Sequence, residues 1–181
     1  FTDGVNPLIV FNGTTWYQLD STGAGTSGDP GGDQMIDAPS YIEFFNNTIF
    51  ISGDSSYPGI VSYSAPEDIF NWTAAGGGGQ ILSGFNIVQL KTFRESLYVL
   101  GRQRLRKIIL DSTDFVIKDV ANDIGCIASD SVIEINGDVI FLAQDGIRTI
   151  SGTDKIGDVN LASISKQIQK LVNDIQDGYD L

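Results

Sequence analysis

The stretch NNTIFISG at residues 46–53 recurs twice along the chain, as RESLYVLG at residues 94–101 and as NGDVIFLA at residues 136–143. Each copy is a polar turn that leads into an apolar strand, and other alternating strands precede and follow it. The copies are 48 and 42 residues apart. Units of this length with three or four short strands are typical of β-propeller blades, which stack around an axis because one blade cannot bury both of its faces.

Period-two alternation of apolar residues predicts twelve short strands joined by tight turns. Residue pairs that accept the positive φ of tight hairpins occur at 12–13, 46–47 and 136–137. The predicted strands are residues 8–11, 15–19, 41–45, 48–53, 60–64, 87–93, 96–101, 105–110, 115–120, 131–135, 139–143 and 146–151. One amphipathic helix is predicted over about residues 160–175, from Leu161, Ile164, Ile168, Leu171, Val172 and Ile175, with Asn160 as its N-cap.

The expected fold is therefore all-β, a partial β-propeller of about three blades of antiparallel strands with one C-terminal helix. We expect a leading hairpin and Gly-rich loop at residues 1–39, the end of a preceding blade, then blades at 40–157 and the helix and tail at 158–181. A sandwich or barrel with similar strand spacing is the alternative. Propellers have about four to eight blades, and the first residue is Phe, so we expect the remaining blades in chain beyond this sequence or in another subunit.

Composition excludes several classes of function. The 181 residues include 23 acidic and 11 basic side chains, one Cys and no His. An acidic protein of pI about 4.1 does not grip phosphate backbones. Without His and with a single Cys, the usual general base, an internal disulfide and a thiolate zinc site are missing, so we expect no cofactor and no metal. No segment has the pattern of a signal peptide or a membrane span, so no membrane anchor is expected.

Charge is unevenly distributed along the chain. Residues 1–90 contain nine acidic residues and no Lys or Arg, whereas residues 91–181 hold all 11 basic residues with 14 acidic ones. Six basic residues cluster in the sequence as a candidate subunit interface, namely Lys91, Arg94, Arg102, Arg104, Arg106 and Lys107. They are either solvated or salt-bridged positions on one hairpin, or a docking patch for an acidic neighbour.

Two glycine-rich stretches interrupt the strands. Residues 23–28 form a literal G-x-G-x-x-G, but the acidic, helix-breaking DPGGD that follows does not suit a pyrophosphate site. Because glycine-rich chain loses much conformational entropy in a regular element, we expect surface loops or inter-blade connections at residues 21–33 and 74–79. Residues 13–16, GTTW, match half of the Asp-box turn of sialidase-type propellers, because Phe11 stands where the acid is expected. An Asn-Gly hairpin with Trp16 packed on a sheet face is the simpler interpretation.

Few residues could carry chemistry. Glu67 with Asp68, and Asp119 with Asp123, are the candidate carboxylate pairs for glycoside hydrolysis. Cys126 is interpreted as a small buried hydrophobe, since no His can activate it. Oxygen ligands suitable for calcium also occur, without EF-hand spacing, at Asp111, Asp114, Asp119, Asn122 and Asp123.

Three motifs carry a resemblance to a known family. They are YSAPEDIFNW at residues 63–72, GCIASDSV at residues 125–132, and the strand at residues 137–143 followed by QDGIR at residues 144–148. With a helix after them, they resemble the propellers of the tubular tail protein B, or nozzle, family of short-tailed phages and of related virion hub and DNA-stabilisation proteins. The likeness covers about residues 40–175.

The resemblance implies a structural component of the virion rather than an enzyme. In such tails several copies, commonly six, surround an axial channel through which double-stranded DNA leaves, attach to an adaptor ring above and contact fibres at the side. An acidic wall repels phosphates, so DNA slides through without binding. We expect the acid-rich first half to face this channel and the basic hairpin to meet a neighbouring subunit. The alternatives are a propeller-type glycoside hydrolase and a glycan- or peptide-binding propeller module.

Overall fold

The computed structural model describes residues 1–156 together with Lys170 and Asp174. The chain divides into two compact units, Phe1–Thr92 and Phe93–Leu181. The described residues form four antiparallel sheets and one short helix, and none of these sheets closes on itself. The expectation of an all-β chain is therefore confirmed.

The first unit contains a two-stranded hairpin and a four-stranded meander in the order β3-β4-β5-β6. Its strands are β1 (Leu8–Phe11), β2 (Trp16–Leu19), β3 (Tyr41–Phe45), β4 (Thr48–Ser52), β5 (Ile60–Tyr63) and β6 (Gly79–Leu82). Asn46 and Asn47 both have positive φ, 47° and 59°, which is the geometry of the tight turn that joins β3 to β4. Strand β4 is mostly buried.

Trp72 lies at the centre of the first unit's core. It is fully buried among Leu8, Leu19, Met35, Ile36 and Ile51. Its indole Nε1 donates to the carbonyl oxygen of Ile69 at 2.9 Å, so the polar atom of this large side chain is satisfied. The hairpin β1-β2 and the meander therefore share one core.

The glycine-rich stretches are packed more closely than their composition suggests. The loop within residues 21–33 is mostly exposed, as expected, but Gly31 is buried and bridges Asp20 and Asn71. A Cβ on Gly31 would lie 2.0 Å from the carbonyl oxygen of Asp20, so only glycine fits. The expectation of a loop at 74–79 is corrected, because Ala74–Gly76 form a 3-10 turn and Gly79 begins β6.

The second unit contains most of a four-stranded meander and a three-stranded meander. In both meanders the strands pair in chain order. The first strand of the four-stranded meander ends at Phe93, which is the first residue of this unit. The elements are β7 (Ile87–Phe93), β8 (Ser96–Gly101), β9 (Leu105–Asp111), β10 (Asp114–Ala121), β11 (Ile133–Ile135), β12 (Asp138–Ala143), β13 (Gly146–Thr149) and α1 (Ile150–Ile156).

The sequence repeat corresponds to a repeated structure. Arg94 and Asn136, at the positions equivalent to Asn46, have φ of 54° and 51°. In each copy this turn leads into the second strand of its sheet, β4, β8 or β12. A residue with positive φ therefore stands at the equivalent position of all three copies.

All twelve predicted strands are present; four have the predicted bounds, six differ by one residue at one or both ends, and two differ by two residues. The last strand stops at Thr149 because α1 begins at Ile150, and β11 starts at Ile133 after a 3-10 turn at Ser129–Ser131. Strand β6 and helix α1 were not predicted. The helix predicted over 160–175 lies outside the described residues except for Lys170 and Asp174, and the expected boundaries at 39/40 and 157/158 stay predictions.

Candidate functional site

Three of the six candidate interface residues form ion pairs inside the chain. Lys91 Nζ lies 3.4 Å from Glu43 Oε1 in the first unit. In the second unit, Arg106 Nε lies 2.6 Å from Asp119 Oδ1, and Lys107 Nζ lies 2.8 Å from Asp154 Oδ1. These three cations therefore already have carboxylate partners, which matches the salt-bridged interpretation of the cluster.

The other three arginines lie at opposite ends of β8. Arg94 is in the turn before β8, with its guanidinium carbon 4.7 Å from the centre of the Phe93 ring. Arg102 and Arg104 are in the turn after β8, a separation of about 20 Å for six extended residues. The six candidate interface residues, although close in sequence, thus do not form a single patch.

The turn between β8 and β9 is rigidly supported. The amide of Gly101 donates to the Arg104 carbonyl at 2.8 Å, and the amide of Cys126 donates to the Gly101 carbonyl at 2.8 Å. A Cβ on Gly125 would lie 2.0 Å from that same carbonyl oxygen. Arg102 and Arg104 are exposed, and neither has an ion-pair partner within the described part of the chain.

The first unit holds its carboxylates by backbone amides. Amide hydrogen bonds from Asn6, together with its side chain and the amide of Val5, lower the pKa of Asp3. The hydroxyl and amide of Thr22 lower the pKa of Asp20, and the side chain of Gln34 and the amide of Ala74 lower that of Asp33. These groups stay ionised and keep the surface of this unit negative.

A cleft of about 340 Å³ in the second unit is lined by polar residues at the start of β8 and on α1. The Tyr98 hydroxyl lies 3.2 Å from Asp154 Oδ2, which also accepts from Lys107. Burial and the Asp154 carboxylate raise the pKa of Tyr98 far above its usual value, so this phenol remains protonated. Its role is to hold α1 against the sheet.

Asp138 fixes the beginning of α1. Its Oδ1 accepts from the Ser151 amide at 3.2 Å, and its Oδ2 accepts from the Ser151 hydroxyl. Burial opposes ionisation of Asp138, but the hydrogen bonds from Ser151 and from the Val139 amide outweigh burial and lower its pKa.

Arg148 of the QDGIR motif is buried and pairs with the acid of the same motif. Its exposed fraction is 2%, and its Nε donates to Asp145 Oδ1 at 2.8 Å and to Oδ2 at 3.1 Å. Both line a cleft of about 220 Å³ together with Asp123. The motif therefore closes the β12-β13 turn with an ion pair between a buried arginine and a partly exposed aspartate.

An apolar cleft of about 240 Å³ lies beside the first hairpin, lined by residues including Leu8, Phe11 and Trp72. The exposed rings of Phe11 and Trp16 stack with their centres 4.5 Å apart, and they are 48% and 67% exposed. The predicted hairpin at residues 12–13 is confirmed, with the Asn12 side chain accepting from the amides of Thr14 and Thr15. The prediction that Trp16 packs on a sheet face is wrong, because its ring stacks on Phe11 and points to solvent.

The candidate carboxylate pairs take part in local structure. Asp68 accepts from the amide of Phe70 at 3.0 Å, and Glu67, with φ of 62°, accepts from the Asn47 side chain. Asp119 pairs with Arg106, while Asp123 lies at the cleft of Arg148. None of these arrangements places two free carboxylates across a cleft in the residues described.

The remaining candidates are also accounted for by local contacts. Burial raises the pKa of the Cys126 thiol, whose Sγ lies 3.0 Å from the Ala128 carbonyl, as expected for a structural cysteine. Asp111 and Asp114 face each other at the β9-β10 hairpin. Over residues 1–156 with 170 and 174, no group of three or more Cys, Asp or Glu side chains is placed to hold a metal ion.

Sequence reasoning missed the buried arginine and the anchors of α1. Asp145 and Arg148 are three residues apart, a spacing that signals a local pair once the turn is known. Asp154 lies 47 residues from Lys107 along the chain, so no sequence pattern reveals that contact.

No family model and no curated protein matches this chain. The structure shows no helix, among the residues described, that is long and apolar enough to cross a membrane.

Proposed function

We propose that this chain forms blades of a β-propeller that serves as a structural component of a phage tail, of the nozzle or hub type. In this role several copies, six by resemblance, surround the channel through which double-stranded DNA leaves the virion. The tail adaptor and the fibres are the neighbouring proteins. The role is that of a rigid ring of interaction surfaces and not of an enzyme.

The observation that carries the proposal is the threefold recurrence of one hairpin. Positive φ at Asn46, Arg94 and Asn136 introduces the second strand of three successive up-and-down sheets. Consecutive four-stranded antiparallel meanders are the building unit of propellers. Such a repeated unit supports a wheel of blades better than a sandwich, whose strands exchange between sheets.

The electrostatics of the first unit support a DNA channel. It contains nine acidic residues and one basic residue, Lys91, which is paired with Glu43. A negative surface repels the phosphate backbone and lets DNA pass without being held. We therefore assign the channel-facing surface to the first unit.

The proposal is tested on purified virions that carry an epitope tag on the intact polypeptide containing this sequence. Gold-labelled antibody is expected at the tail, and electron microscopy is expected to show a ring of tagged density around the tail axis. Label on the capsid or its absence from the particle, or a ring whose lumen is lined by basic residues, would contradict the proposal.

A glycan-binding module is the second candidate, favoured by the exposed stack of Phe11 and Trp16. Exposed aromatic faces beside hydroxyl groups bind the apolar faces of sugars, and Thr14 and Thr15 lie in the adjoining turn. This function predicts quenching of Trp16 fluorescence by an oligosaccharide, lost in Trp16→Ala. No response across a glycan array would exclude it.

A further inference from the structure

We propose that the turn carrying Arg102 and Arg104 docks onto the acidic loop at residues 20–37 of a second copy of this chain, so that the copies assemble head to tail. The inference rests on the proposed function, because it specifies how neighbouring copies of the ring contact each other. Of the six residues of the candidate interface, the inference assigns Arg102 and Arg104 to this contact and does not involve the other four.

On one copy, the proposed contact is made by the guanidinium groups of Arg102 and Arg104, whose turn has its backbone held by hydrogen bonds. The Gly101–Arg104 hydrogen bond closes the turn, and Cys126 and Gly125 pack against its backbone. Both arginine side chains are exposed, and no carboxylate among the described residues pairs with either. A pre-organised pair of cations loses little backbone entropy on binding an acidic partner.

The acceptor side is an acidic segment with four carboxylates, at Asp20, Asp29, Asp33 and Asp37. Asp37 accepts from the amide of Ser21, Asp20 from the amide of Thr22, and Asp29 from the amide of Ala24. Asp29 and Asp37 are exposed, and each uses one oxygen in these bonds. Their other oxygens have no partner among the described residues and are available to guanidinium groups.

Charge distribution excludes contact of either surface with the same surface of another copy. The loop at 20–37 contains no Lys or Arg, and the first basic residue of the chain is Lys91. Two identical loops would repel each other, and so would two identical arginine turns. Each contact therefore joins the arginine turn of one copy to the acidic loop of another, and the head-to-tail form of this contact, repeated, produces a ring when its rotation closes.

The test measures self-association of the intact polypeptide by mass photometry and sedimentation in 0.15 M NaCl. Arg102→Glu/Arg104→Glu is expected to weaken association by about tenfold or more, since like charges then face each other. Arg102→Gln/Arg104→Gln, which removes charge without reversing it, is expected to give a smaller loss. Circular dichroism and urea unfolding verify that each variant is folded.

A charge exchange identifies the partner surface. Asp29→Lys/Asp37→Lys alone is expected to associate as poorly as the arginine variant, and an equimolar mixture of the two variants is expected to regain association. Lys118→Glu/Lys155→Glu is the matched control, because both lysines are exposed and the net charge changes equally. The control is expected to associate like the original chain.

Three outcomes would overturn the inference: a monomeric original chain, an arginine variant that assembles normally, or a mixture that stays dissociated. An arginine variant that assembles normally into tail rings would leave the proposed function standing. Restored association in the mixture, with the protein absent from virion tails, would instead support the inference and refute the proposed function.

Discussion

Three loop carboxylates of the first unit and three carboxylates of the second are stabilised in different ways. In the first unit, Asp3, Asp20 and Asp33 accept hydrogen bonds from loop amides and polar side chains. In the second unit, carboxylates at positions 119, 145 and 154 pair with cations. The same residue type therefore fixes loops in one unit and ties strands and α1 together in the other.

The difference determines which surface each unit presents. A carboxylate bound by amides keeps its full charge, so the first unit remains negative while its loops are ordered. A carboxylate paired with Lys or Arg is neutralised locally, so the second unit uses Arg106, Lys107 and Arg148 in internal ion pairs. Arg102 and Arg104 have no carboxylate partner among the described residues. In the first unit, the same aspartates therefore hold the loops in place and supply the negative surface charge.

The largest expected effect is on the close packing of the first unit. Gly31→Ala places a Cβ against the Asp20 carbonyl at a φ of 121° and is expected to cost about 3 kcal/mol in the free energy of unfolding, measured with urea. Gly28→Ala is the control, since nothing lies within 4 Å of its added Cβ. Equal stability of the two variants would show that the loop is not tightly packed.

The second effect separates buried from exposed ion pairs in the second unit. Asp145→Asn removes the negative charge beside buried Arg148 and is expected to cost about 2 kcal/mol, because a buried cation loses its charged partner. Asp119→Asn, at an exposed pair, is expected to cost less than about 1 kcal/mol. Thermal denaturation measures both, and the reverse order would contradict the structural role assigned to Arg148.

A third effect tests what the two units share. Asn46→Ala and Asn136→Ala each place alanine at a positive φ and are each expected to cost about 1 kcal/mol. Thr113→Ala, in a turn without positive φ at that residue, is the control and is expected to change the free energy of unfolding little. Strongly unequal losses for the two asparagine variants would argue against equivalent turns.

The smallest effect is a change in pH dependence. Asp33 has a folded pKa below the ordinary 3.8, so its stabilisation is present above that value and is lost as pH falls through the folded pKa. The free energy of unfolding, measured from pH 7 to pH 3, is expected to fall less in Asp33→Asn than in the original chain. Parallel curves would mean that the hydrogen bonds from the Gln34 side chain and the Ala74 amide contribute nothing to stability through this carboxylate.

The sequence predicts the strands well because alternation reports directly which residues face a core. The pattern fails at β6, where Gly79 follows a glycine run and only Ile81 and Leu82 are apolar. It also fails at α1, where residues 150–156 have no apolar stripe and the helix is anchored by Asp138 and by Lys107 through Asp154. Long-range polar contacts of this kind leave no periodic signal.

The sequence predicts that the six candidate interface residues cluster along the chain, but it does not predict where the fold places each of them. Six basic residues within residues 91–107 are visible in the sequence, yet β8 carries Arg94 to one end of its sheet and Arg102 with Arg104 to the other. Ion pairing depends on acids up to 48 residues away, such as Glu43 for Lys91. Only the folded chain shows which of the six cations have carboxylate partners among the described residues.

A cryo-electron microscopy structure of the intact polypeptide, resolved to side chains, tests the central claim most directly. The account predicts that β4, β8 and β12 occupy equivalent places in successive blades around a common axis, with Arg102 and Arg104 against the 20–37 loop of the adjoining copy. The same strands stacked as two facing layers, or joined into one continuous barrel, would contradict it.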